Sequence, residues 1–109
     1  MSEAQMALTT YFKNTVMELC KDPSYRKSLI IEALEAYLEE DIVTGNTLLR
    51  NYLNGCLAFR EAEIALNIRE SGLRRILSSK GNPSITNFIA IFTFCRKREG
   101  LEVDDIINI

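Results

Sequence analysis

Apolar residues recur along this chain at intervals of three and four, and strand-like alternation appears nowhere before residue 100. Leu8, Phe12, Val16 and Leu19 fall on one face of a first predicted helix. Asp22-Pro23 then restarts the chain. The aspartate can accept from the free N–H groups of a new first turn, and the proline supplies a preset φ where no donor is needed. In the second predicted helix Tyr25, Leu29, Ala33 and Tyr37, with Ile30, Leu34 and Leu38 beside them, form a broad apolar stripe. It ends at the acidic run Glu39-Glu40-Asp41. Thr44-Gly45-Asn46 stands near the next junction, and Leu48, Leu49, Tyr52 and Leu53 make a third apolar face that stops at Asn54-Gly55.

Shorter segments follow. Residues 58–66 read as a helix with Phe59, Ala62 and Leu66 inward, closed by Asn67, a residue that tolerates left-handed φ. After the link at Ile68, a helix over 70–78 turns Leu73, Ile76 and Leu77 inward and leaves Arg69, Ser71, Arg74, Arg75 and Ser78 outward. Lys80-Gly81-Asn82-Pro83 cannot continue it, because proline lacks the donor and restricts the residue before it. Ser84 is placed to cap a last long helix with Ile85, Phe88, Ile89, Phe92 and Cys95 on one face, ending in Arg96-Lys97-Arg98 near the negative end of the helix dipole. The tail 101–109 has no settled periodicity; a helix, a strand pairing across a dimer and a flexible end all fit it. The pattern predicts an all-α fold in one folded unit, with a helical region over 1–57, a two-short-helix region over 58–100 and the tail.

Composition narrows the chemistry. At 109 residues, 47% hydrophobic and 26% charged, the chain has ordinary globular values for about one domain. The longest apolar run, Phe88 to Cys95, falls far below the roughly 20 residues a bilayer-spanning helix needs. The stretch MSEAQMALTTYFK lacks the features of a secretory signal, so a cytoplasmic location and no membrane partner are expected. Histidine is absent, and the three cysteines, Cys20, Cys56 and Cys95, show no C-x-x-C spacing. That argues against most metal sites and most catalytic triads, so the cysteines read as structural and neither enzyme activity nor a metal or cofactor is expected. Glu39-Glu40-Asp41, at a helix end beside a turn, reads as a solvated charge run.

Charge changes the picture more. Residues 1–57 carry 5 Lys+Arg against 8 Asp+Glu, a net of −3, whereas residues 64–98 carry 7 against 1, a net of +6. Two short helices joined by about three residues, the second with a polar basic face, have the layout of a helix-turn-helix whose second helix enters the DNA major groove. Arg69, Ser71, Arg74, Arg75 and Ser78, with Lys80 and Asn82 in the following loop, are therefore the candidate DNA-binding residues. Successive helical residues are about 100° apart, so one of Arg74 and Arg75 is expected on guanine O6 and N7 and the other on phosphate. Both are expected to be replaceable by alanine without loss of thermal stability. The bland alternative is a solvated basic surface complementing the acidic half, in a protein-interaction or scaffold module that does not bind DNA.

The stretches FKNTVMELCKDPSYRKSLIIEALEAYLEEDIVTGNTLLRNYLN and SGLRRILSSKGNPSITNFIAIF resemble the addiction-module antidote family, small antitoxins with a lambda-repressor-like helix-turn-helix. The likeness spans roughly residues 8–95. Its most specific elements are Asp22-Pro23, Thr44-Gly45 followed by Leu48-Leu49-Arg50-Asn51-Tyr52, and Leu77-Ser78 leading into Lys80-Gly81-Asn82-Pro83. The resemblance implies a homodimeric repressor of its own operon, bound to a double-stranded DNA operator, that also binds a small toxin protein of the messenger-RNA nuclease class. Three positions depart from the family pattern. Glu63 stands where a small residue is usual, Asn67 replaces a glycine, and Gly72 lies inside the recognition segment. An unpaired carboxylate buried at Glu63 would cost several kcal/mol, so either the two helices splay or Glu63 turns outward.

Overall fold

Asp22 and Ser84 open helices as their positions predict. The Asp22 carboxylate accepts from the Ser24 amide at 2.9 Å, and Ser84 Oγ accepts from the Asn87 amide at 3.1 Å. The computed structural model describes residues 14–107, and among these the chain is helical without a strand. The elements are α1 (residues 14–19), α2 (Pro23–Leu38), α3 (Ile42–Gly55), α4 (Phe59–Leu66), α5 (Glu70–Ile76), α6 (Ile85–Arg98) and α7 (Val103–Ile107). The expected face positions Leu8 and Phe12 lie outside the described residues, as do Asn108 and Ile109.

Helix α3 starts earlier than the sequence pattern suggested. Asp41 is its cap, accepting from the Thr44 amide at 3.1 Å, and hydrogen bonds from the Thr44 side chain and amide hold the Asp41 carboxyl below its ordinary range. Thr44-Gly45-Asn46 therefore forms part of the helix rather than a junction. Gly45 has a packing reason: a Cβ there would come within 2.8 Å of the Tyr37 ring, so the glycine lets α2 and α3 close on each other.

One apolar core runs through the whole unit, from Val16 and Cys20 to Cys95 and Leu101, so the regions 1–57 and 58–100 share it. Ile30 and Ala33 of α2, Leu49, Tyr52 and Leu53 of α3, Ala62 of α4, Leu73 of α5 and Cys95 of α6 are completely buried. Burying one such Leu or Ile side chain is worth roughly 1.5–3 kcal/mol.

The face of α6 departs from expectation. Ile91 and Cys95 are its buried positions, whereas Ile85 is 70% and Ile89 is 54% exposed. Counted at 100° per residue, the apolar residues from Ile91 round to Ile89 cover an arc of about 160°, and the helix turns the Ile91–Cys95 edge of that arc to the core. Phe88 and Phe92 lie between, stacked at 5.7 Å, and Phe88 meets the Tyr37 ring edge-on at 4.6 Å. Leu38, at the end of the α2 stripe, is likewise 75% exposed.

Of the alternatives open for the tail, a short helix is what forms: α7 follows a turn in which the Asp105 carboxylate accepts from the Glu102 amide at 2.8 Å. No helix among the described residues is long and apolar enough to cross a membrane.

A buried polar network ties four helices together. The Glu99 carboxylate, only 4% exposed, accepts from Arg26 Nε at 2.9 Å and from the Tyr52 hydroxyl at 2.5 Å. Arg98 donates to Tyr52 Oη at 3.2 Å and to both Glu61 oxygens, at 2.9 and 3.3 Å. Every polar group in this cluster finds a partner, as burial demands.

Candidate nucleic-acid interface

Helices α4 and α5 are short and joined by residues 67–69. Asn67 closes α4 in the left-handed region at φ 55° and ψ 40°, the role for which asparagine suits that position. The N-cap position of α5 is Arg69, which supplies no capping side chain. Glu63 takes that role from α4: its Oε1 accepts the Glu70 amide at 3.0 Å. The departure from a small residue is thus resolved by a partly exposed carboxylate that turns to the rim and closes the start of the next helix.

Ser71, Arg74, Arg75 and Ser78 fall within about 100° of arc on α5 and its continuation. Arg69, Ser71, Arg74, Arg75, Lys80 and Asn82 are all exposed, and Ser78 is partly so. Ser71, Arg74, Arg75 and Ser78 thus share one side of the α5 segment, with Arg69 before it and Lys80 and Asn82 in the loop after it, but their circumstances differ. Arg69, Arg75 and Lys80 form no ion pair among the described residues. Arg74 is committed to its own protein: its guanidinium lies 4.0 Å above the Phe59 ring, donates to Asn54 Oδ1 at 3.1 Å and sits 3.8 Å from Glu70. It joins α3, α4 and α5, so it is exposed as expected but also bears contacts to its own protein that the sequence did not show. Ser78 directs its hydroxyl to the Arg75 carbonyl at 2.8 Å, closing the helix end.

The segment is anchored from beneath by two α3 residues to which the sequence pattern assigned no such role. Asn46 is fully buried, accepts from the Tyr37 hydroxyl at 2.6 Å, and donates to the Ser78 carbonyl at 3.1 Å and the Gly81 carbonyl at 3.0 Å. Arg50, one turn further along α3, donates to the Leu77 carbonyl at 2.9 Å. The Arg50 bond satisfies the Leu77 carbonyl at the C-cap of α5, and the Asn46 bonds hold the carbonyls of the loop that follows. Gly81 is required where it stands, because a Cβ there would lie 2.0 Å from the Ile76 carbonyl oxygen. The Gly-Asn-Pro break therefore folds back tightly against the end of α5, with Gly81 beside the Arg75 and Ile76 carbonyls. Asn46 had a readable signal: it is a polar residue three and seven positions before the buried Leu49 and Leu53.

The basic stretch 64–98 is not one surface. Arg98 is consumed by Glu61 and the Tyr52–Glu99 pair, and Arg96 donates to the Leu101 carbonyl at 2.6 Å. What α5 and its loop present is Arg69, Arg74, Arg75 and Lys80 against the single acid Glu70. The thiols do not contribute. Cys20 and Cys95 are buried, and burial pushes the Cys20 thiol up to about 12 and those of Cys56 and Cys95 upward as well.

No protein-family model, curated protein or solved structure matches this chain.

Proposed function

We propose that the chain is a DNA-binding transcriptional regulator whose α4–α5 pair acts as a helix-turn-helix, with α5 as the element laid into the major groove. One observation carries the reading: Arg69, Ser71, Arg75, Lys80 and Asn82 stand exposed on one anchored segment, while Asn46 and Arg50 hold that segment's carbonyl end from below. Rigid positioning of a few cations and hydroxyls is what groove readout requires, since phosphate contacts fix register and base contacts specify. In this reading Arg75 faces base edges, and Arg69, Lys80 and Asn82 face phosphates. Arg74 braces the helix against Phe59 and Asn54.

The resemblance to addiction-module antidote proteins extends the proposal to an antitoxin that represses its own operon as a homodimer and binds a small toxin. Its support is the set of residues quoted above, among which Gly45, Asn46 and Gly81 have packing roles that explain their residue types. A second reading, an interaction module that does not bind DNA, draws on the exposed apolar side chains Leu38, Ile85 and Ile89.

Selection of duplexes from a random pool at stated low salt, followed by gel retention of the selected sequence, tests the regulator. The expected result is an enriched site whose retention is lost in an Arg69→Ala, Arg75→Ala, Lys80→Ala triple variant. Failure to enrich any sequence, with retention equal for all duplexes, overturns it.

A further inference from the structure

On the flank where α2 and α6 meet, an open apolar cleft of about 320 Å³ is lined by Leu34, Tyr37, Leu38, Ile42, Ile85 and Phe88, with Pro83 at its end. We infer that this cleft docks a cationic amphipathic helix of a partner protein. Three features point to that occupant. First, Leu38 and Ile85 stand on its rims with 75% and 70% of their surface exposed. A small molecule on the floor would leave those rims wet, whereas a helix laid along the groove covers them, as in helix-in-groove recognition. Second, the α2 rim is acidic and unneutralised. Glu35, Glu39, Glu40 and Asp41 are exposed, interleave with or adjoin the lining residues Leu34, Leu38 and Ile42, and form no ion pair among the described residues. Asp41 in addition stays ionised to lower pH than an ordinary carboxyl, through its bond to Thr44. Third, a two-fold pairing with a second copy would bring the same four carboxylates in from the other side, so charge favours a partner carrying Lys or Arg beside its apolar anchors.

The floor is firm enough to act as a template. Tyr37 is held edge-on against Phe88 and bonded through its hydroxyl to Asn46, and Gly45 lets the ring seat against α3. The floor of the cleft is therefore set by contacts with the core. None of the candidate DNA-binding residues lines it, so the inference stands or falls independently of the DNA reading.

The test uses the full chain, labelled with nitrogen-15, and two synthetic helical peptides sharing one Leu/Phe face, flanked by Lys in one and by Glu in the other. The expected result is a saturable set of amide shifts confined to residues 34–42 and 84–89 with the Lys peptide. Its affinity falls as salt rises and is roughly tenfold or more above that of the Glu peptide. Leu38→Glu and Ile85→Glu, at exposed positions that leave the core intact, abolish those shifts. Equal binding of both peptides, or no saturable shift with either, overturns the inference. So does a dimer by sedimentation that the same two substitutions dissociate, since it would assign the cleft to a second copy.

Discussion

Asn46 and Ser78, 32 residues apart in the chain, meet through a hydrogen bond of 3.1 Å from the amide of one to the carbonyl of the other, entirely out of solvent on the Asn46 side. With the companion bond to Gly81 it joins α3 to the turn that follows α5. The α5 segment owes its position to this contact more than to its own seven helical residues, too few to be stable alone.

Replacing Asn46 by alanine leaves the Tyr37 hydroxyl and the Gly81 carbonyl without their partner, and is expected to lower stability by about 2 to 3 kcal/mol. Asn46→Asp is expected to be worse, because a carboxylate would face two carbonyls with no proton to donate. Denaturant midpoints of the two variants, at unchanged slope, check the ordering.

Glu63→Ala removes the acceptor for the Glu70 amide and is expected to cost about 1 kcal/mol, while Glu63→Gln retains most of the cap. Hydrogen exchange at the Glu70 amide reports it directly, accelerating in the alanine variant only.

Gly72 has room for a methyl group: a Cβ would stand 3.4 Å from Ile68 Cγ2, an ordinary contact, and its φ is not left-handed. Gly72→Ala is expected to raise stability by roughly 1 kcal/mol, read from thermal melting. A loss of DNA retention in that more stable variant would assign the glycine to close backbone approach.

Arg75→Ala is expected to leave the melting temperature unchanged and to relax discrimination at one base position by about 1–3 kcal/mol, measured on a panel of single-substituted duplexes. Arg74→Ala, by contrast, is expected to cost about 1 kcal/mol of stability through its contacts with Phe59 and Asn54. A paired melting experiment separates the two adjacent arginines.

Stability is expected to fall at both ends of the pH scale. The hydrogen bond from Arg98 depresses the Glu61 carboxyl, so this group's contribution is present above the ordinary carboxylate value and is lost as pH falls through its lowered folded value. Burial raises the Cys20 thiol from 9.0 to about 12, so the unfolded chain releases that proton first and stability declines as pH rises across that interval. Glu61→Gln should flatten the acid limb, and Cys20→Ala the alkaline limb, of a plot of denaturant midpoint against pH.

The helices up to α6 apart from the start of α3, the caps at Asp22 and Ser84, the left-handed stop at Asn67 and the outward positions along 69–82 were legible in the sequence, because each depends on residues within one or two turns. The sides that α6 and Arg74 present were not. An apolar arc of about 160° tells that part of a helix is buried but leaves the choice of edge to its neighbours, and the packing of α2, α3 and α4 around α6 put Ile91 and Cys95 inside. Arg74 and Arg75 look alike as sequence, and only the approach of Phe59 and Asn54 makes one a brace and leaves the other free. The sequence by itself determined an all-helical chain with a basic stretch over residues 64–98. The tertiary structure decided which cations remain on the α5 surface, where Glu63 turns and what Asn46 holds. Hydrogen bonds and ion pairs between residues 7 to 73 apart have no local signature; they exist only once the core has set the helices side by side.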